Sequence, residues 1–250
     1  MNSHETDGMR RHLSISIGAA GAAFVLLAGS PAAKAADIYG TITYQGKPPP
    51  EIPIRPLKND LICGPLHKEM PTTHFYVVGP HGEFGDVVVS LAGIHGKSTG
   101  AEAGPLHIDQ KGCEYIPYVS AGQTGEKIVV KNSDPVLHNV HVTPRNRGNK
   151  EQNRAQMANS PDLTFEFTAP ENFLRFKCDV HPWMFAYVSL FDHPYFSVTG
   201  DGGSYRIHNV PPGQYTVASM HRKAGTLKKK VEVKGQDVKL DFTFERKGGR

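Results

Sequence analysis

The stretch Phe173–Phe191 constrains this chain more than any other of its length. Leu174, Phe176 and Cys178 alternate with Arg175 and Lys177, the period of a strand with one buried face. Ala186, Val188 and Leu190 carry a second strand after a short interruption. The first strand delivers Cys178 on its buried side into a tight loop, and the second leaves after Met184. A thiol, an imidazole and a thioether thus fall within seven residues, at Cys178, His181 and Met184. Thiolate, imidazole and a weak axial thioether are the ligand types of a mononuclear electron-transfer copper centre, which needs one more histidine from elsewhere.

The surrounding chain supplies a candidate. Lys127–Lys131 is a clear strand, Asn132-Ser133-Asp134-Pro135 is a turn sequence, and Val136–Val142 reads as the next strand. His138 stands just past that turn, where a rigid backbone can aim its ring. His141, three residues on, faces the opposite side of the strand, so only one of the pair can look into a given site. His67, His74, His81, His95 and His107 are scattered without paired spacing and are expected to face solvent. His193 follows the exit strand and is expected to be structural. Ile38–Tyr44, His74–Val78 and Asp86–Leu91 read as short strands, Gly93–Gly104 as a loop, and Lys150–Ala158 as a short helix. With 26 Gly and 19 Pro besides, the chain is expected to be all-β with many turns.

Residues 1–35 read as a signal peptide. Arg10-Arg11 precedes an apolar run Leu13–Leu27, too short for a membrane span, and Ala33-Lys34-Ala35 fits a small-residue cleavage site. Export to a periplasm is the expectation, with no membrane span after cleavage, and the twin arginine permits export of the folded protein. Cleavage would remove Arg10, Arg11 and Lys34 against Glu5 and Asp7, lowering the net charge of +4 by one unit. So mild a charge argues against a dedicated nucleic-acid binder. An exported chain can keep disulfides. If metal holds Cys178, then Cys63 and Cys113 remain as a natural pair, whose bridge would contribute about 4 kcal/mol in the chain-entropy model. The alternative, either cysteine as a further metal ligand, lacks flanking ligand residues.

Taken together, His138-Asn139-Val140-His141 and Cys178-Asp179-Val180-His181-Pro182-Trp183-Met184 resemble the ligand segments of the cupredoxins, blue copper proteins of the amicyanin and plastocyanin type, over residues 105–192. The resemblance implies a Greek-key β-sandwich holding one type 1 copper per chain. It assigns His138, Cys178 and His181 as equatorial ligands and Met184 as the axial one. Asn139 would tie the two ligand segments together by hydrogen bonding. A binuclear copper centre would need a second cysteine in the loop, and Asp179–Trp183 has none. The His-Cys-His and His-x-His motifs of multicopper oxidases are also missing, so a non-catalytic carrier is expected rather than an enzyme.

The tail, 195–246, contains Asp201-Gly202-Gly203-Ser204-Tyr205 and Val210-Pro211-Pro212-Gly213-Gln214-Tyr215, hairpin turns between alternating strands. It resembles the later part of a carboxypeptidase regulatory-like module, a small transthyretin- or Ig-like sandwich. Gly40–Pro48 resembles the opening of the same module. Residues 37–92 and 195–246 are therefore expected to pack together, with the copper domain inserted between them. Three separate beads in series is the simpler alternative. The expected function is one-electron transfer to an unidentified redox protein through the edge of His181, with Pro182 and Trp183 as an apolar docking rim. The alternative is a copper-binding or delivery protein without a carrier role. The oligomeric state is not legible in the sequence.

Overall fold

The computed structural model describes Met1 and residues 34–246, so the expected signal peptide lies almost wholly outside the described residues. Strands β1 (Ala36–Gln45) and β2 (Val88–Ala92) come first in the chain. Next come β3 (Leu106–Gln110), β4 (Tyr115–Ile116), β5 (Val119–Gln123), β6 (Ile128–Asn132), β7 (His138–Thr143), β8 (Gln152–Gln156), β9 (Leu163–Phe165), β10 (Glu171–Lys177) and β11 (Phe185–Phe191). The remainder are β12 (Phe196–Val198), β13 (Ser204–Val210), β14 (Gly213–His221), β15 (Gly225–Val233), β16 (Val238–Lys239) and β17 (Phe242–Glu245). The longest helix among the described residues is α1 (Arg55–Asn59). The fold is all-β.

Strands β3 to β11 form two facing sheets, one in the order β5-β11-β10-β7-β8 and the other β4-β3-β6-β9. The alternation in the sequence sets what lies between them. Leu174 and Phe176 of β10 point inward, and Phe165 and Phe167 meet the Phe176 ring edge-on from the opposite sheet. Each such buried ring stabilises the sandwich by roughly 1.5–3 kcal/mol relative to an exposed one. The register of β10 on β7 sets Lys177 opposite His141 and Phe176 opposite Val142. The start of β7, with His138, and the end of β10, which leads into Cys178, therefore lie side by side.

The other strands build a second pair of sheets. β1 pairs with β13 on one side and with β16 and β17 on the other. β2 lies between β12 and β14, and β15 continues that sheet. Between the two sheets lies a core that includes Ile38, Ile42, Phe84, Val89, Ile207, Val217, Phe242 and Phe244. Strands from both ends of the chain thus share the same two sheets.

Three local readings differ from the structure. Residues 150–158 hold β8 rather than a helix, because Gln152–Gln156 pairs antiparallel along the edge of β7 and tertiary pairing overrides local preference. His74–Val78 is not a strand and makes only one bridge, Val78 to Phe84. There the Glu51 carboxylate takes the backbone N–H groups of Phe75 and Tyr76 that a partner strand would need. Residues 54–63 leave the neighbourhood of β1 altogether. Ile54, Leu57 and Cys63 pack instead with the core beneath β10 and β11.

Candidate metal centre

β7 begins at His138, immediately after the Asn-Ser-Asp-Pro turn, and its burial follows from the strand's inward face. β10 ends at Lys177, so Cys178 is the first residue of the loop, and its sulfur is buried. The loop then folds back sharply, with the Met184 N–H donating to the His181 carbonyl at 2.9 Å and the Cys178 N–H to the Met184 carbonyl at 3.3 Å. That closure returns Met184 to the core before β11 starts.

His138, Cys178 and His181 offer ligand atoms that all lie within 4.8 Å of one another. The Nδ1 atoms of His138 and His181 face each other at 2.9 Å, and Cys178 Sγ is 4.0 Å from His181 Nδ1. All three residues are at most 5% exposed. Two imidazole nitrogens and a sulfur converging in a dry core, with a thioether in the same cluster, match the soft, mixed N/S donor set of a copper site. His141, as its spacing requires, faces away, and its ring bonds Asp179 at 2.7 Å and Glu151 at 2.5 Å. His193 stacks between Phe191 and Tyr195, away from these residues.

Asn139 joins the two ligand segments. Its side-chain oxygen accepts from the Asp179 N–H at 2.7 Å and from Cys178 Sγ at 3.3 Å. Its amide nitrogen donates to Asn153 and Asp179. The Tyr115 hydroxyl donates to the backbone of both segments, to the Asn139 carbonyl at 3.0 Å and the Lys177 carbonyl at 3.3 Å.

The sequence reading missed Asp134. Its carboxylate accepts from His138 Nε2 at 3.0 Å and from the backbone N–H of Gly112 and Cys113, at 2.6 and 2.8 Å. Holding Nε2 this way fixes the tautomer that leaves Nδ1 free to ligate. The only signal was an aspartate four residues before the histidine in a turn, which is commonplace. Burial pushes the Asp134 carboxyl up, but His138 and the two backbone donors outweigh it and hold it below its usual value. Burial likewise opposes ionisation of Cys178, yet the histidine and backbone donors around it leave the thiol more acidic than usual. Burial and then the neighbouring His138 charge lower the His181 pKa. Burial opposes the charge on His138, but Asp134 and Cys178 beside it outweigh this and raise its pKa, so without a metal the group favours a Cys178 thiolate paired with a charged His138.

Cys63 and Cys113 are joined in a disulfide spanning 50 residues, leaving Cys178 the free cysteine. The bridge is close to the site: both of its sulfurs and a ring nitrogen of His181 lie within 4.8 Å of one another. It pins residues 54–66 over the loop, with Leu57 fully buried. His181 is 5% exposed, against 0% for His138, and the disulfide sulfurs lie beside its ring, so only a small edge of it reaches solvent. Pro182 is exposed and Trp183 half-buried, its indole N–H donating to the Cys113 carbonyl at 3.1 Å. Further exposed apolar side chains lie close in sequence to Cys63, His138 and His181, at Leu61, Ile62, Leu137 and Val180.

No family model matches this chain, and no curated protein matches it. Solved structures show weak likeness to parts of it. A copper-containing nitrite reductase from Thermus scotoductus is 18% identical, over 35% of this chain and 22% of that one, with a TM-score of 0.31. An oxidised variant of amicyanin is 16% identical over 41% of this chain and 97% of its own, with a TM-score of 0.32. A purple cupredoxin from Nitrosopumilus maritimus is 19% identical over 34% of this chain and 98% of its own, with a TM-score of 0.29. At these scores the likenesses carry no weight in assigning function, which rests on the residues of the site.

Proposed function

We propose that this chain is an exported type 1 copper protein, one ion per chain, that carries single electrons in a periplasmic redox chain. The supporting observation is the convergence of buried His138 Nδ1, His181 Nδ1 and Cys178 Sγ, with Cys178 and Met184 in the same core cluster. Copper bound there supplies a one-electron couple between its two common oxidation states. The chain's own residues do the rest. Asp134 orients His138, and Asn139 holds the start of the Cys178 loop through the Asp179 N–H. With Tyr115 clamped to both segments, the ligand positions are fixed by the sheet, so little would have to move when the charge changes. Burial keeps water away from the thiolate.

The copper domain spans 105–192 in this reading. It is inserted into one regulatory-like sandwich made of 37–92 and 195–246, from which the segment 54–63 departs to pack on the copper domain. A redox protein would dock on the apolar side chains of Leu61, Ile62, Leu137 and Val180. Ligands buried beneath a disulfide-tied segment fit retention of the ion better than its delivery to another protein, since release would require that segment to open. Voltammetry of the copper-loaded full chain tests the carrier role. A reversible one-electron wave is expected, and a copper-bound protein with no reversible wave would reduce it to a copper store.

A further inference from the structure

The disulfide beside His181 has a second chemistry. We propose that reducing the Cys63–Cys113 bridge creates a second soft-metal site sharing His181 with the first, in which the two thiolates and His181 bind a monovalent copper ion. Both sulfurs and a His181 ring nitrogen already lie within 4.8 Å of one another, and all three residues are buried. Two thiolates and an imidazole are a donor set suited to Cu(I).

The ligand set survives loss of the S–S bond because each cysteine is held by other ties. The Cys63 N–H donates to Asp60 at 2.8 Å and the Cys113 N–H to Asp134 at 2.8 Å. His67, four residues after Cys63, bonds the Gly112 carbonyl and so ties the two arms of the bridge together, and Trp183 donates to the Cys113 carbonyl. Leu57 remains anchored in the core. In the reductive step a dithiol donor gives two electrons and two protons to the bridge. The S–S bond breaks to two thiols and the donor closes to its own disulfide. Copper binding then releases the thiol protons to solvent.

The test uses the full chain carrying Cys178→Ser, which removes the first site's thiolate and makes the outcome independent of the blue-copper reading. The protein is compared with its bridge intact and after dithiol treatment with the dithiol removed, by anaerobic Cu(I) titration against a chromophoric chelator. Reduction is expected to add one tightly held Cu(I) per chain. Adding Cys63→Ser and Cys113→Ser should abolish it, and His181→Phe should weaken it about tenfold or more. Equal Cu(I) binding before and after reduction would overturn the proposal, as would a His181→Phe variant with unchanged affinity. Loss of the folded near-ultraviolet signal on reduction would also overturn it, because the three ligands would then never assemble. Failure of the blue-copper reading is seen separately, in the Cu(II) spectrum of the unmodified protein with its bridge intact.

Discussion

Asp86 and Asp134 are both partly or wholly withdrawn from water, yet they end with opposite titration behaviour. Asp134 has an imidazole and two backbone donors on its carboxylate and ionises more easily than usual. No donor among the described residues reaches the Asp86 carboxylate, and burial, with Asp201 and Glu51 nearby, pushes its pKa up to about 6 despite His74. The folded state therefore binds the Asp86 proton more tightly than the unfolded chain does. Its contribution to stability is full below about pH 4 and is lost as pH rises towards about 6. Asp86 also sits at φ 56°, a left-handed conformation that asparagine tolerates. Asp86→Asn should therefore match the parent protein at acid pH and exceed it above about pH 6, by at most about 2 kcal/mol after solvent screening. Urea unfolding at both pH values checks this; equal stability above pH 6 would mean that the carboxylate is well solvated.

At the scale of elements, legibility followed the strength of the alternation. β10 and β11 were plain because Leu174, Phe176, Val188 and Leu190 repeat at the period of the pleat. The turn before β7 placed His138, and the spacing to His141 correctly turned the second ring away. β5 left no such trace. Ala121 and Gly122 give it little strand character, and it exists because it pairs in parallel with β11. β8 was hidden for a similar reason, being a polar edge strand defined by β7. The segment over His181 was only half legible. Cysteine arithmetic matched Cys63 to Cys113, but nothing in the spacing says that their bridge would lie against His181. Contacts made at a separation of 50 residues belong to the assembled fold and leave no local pattern.

At the scale of the molecule, the two sandwiches meet through Val88, Val119, Tyr187, Phe191, Ala218 and Met220. Arg222 adds to this contact, lying over the Tyr187 ring at 4.2 Å and donating to the Tyr118 hydroxyl at 2.9 Å. We propose that 37–92 and 195–246 are one folding unit interrupted by the copper domain. β1 then depends on β13, β16 and β17, and β2 on β12 and β14. Limited proteolysis within 93–104 should leave 195–246 associated with the N-terminal part. Release of a stable, separately folded C-terminal fragment would establish beads in series instead.

If one ion unites His138, Cys178, His181 and Met184, adding Cu(II) to the full chain must change its visible absorption spectrum. An intense blue thiolate-to-copper band is expected, saturating at one copper per chain and absent from Cys178→Ser. A colourless copper complex, or a band that survives the loss of Cys178, would contradict it.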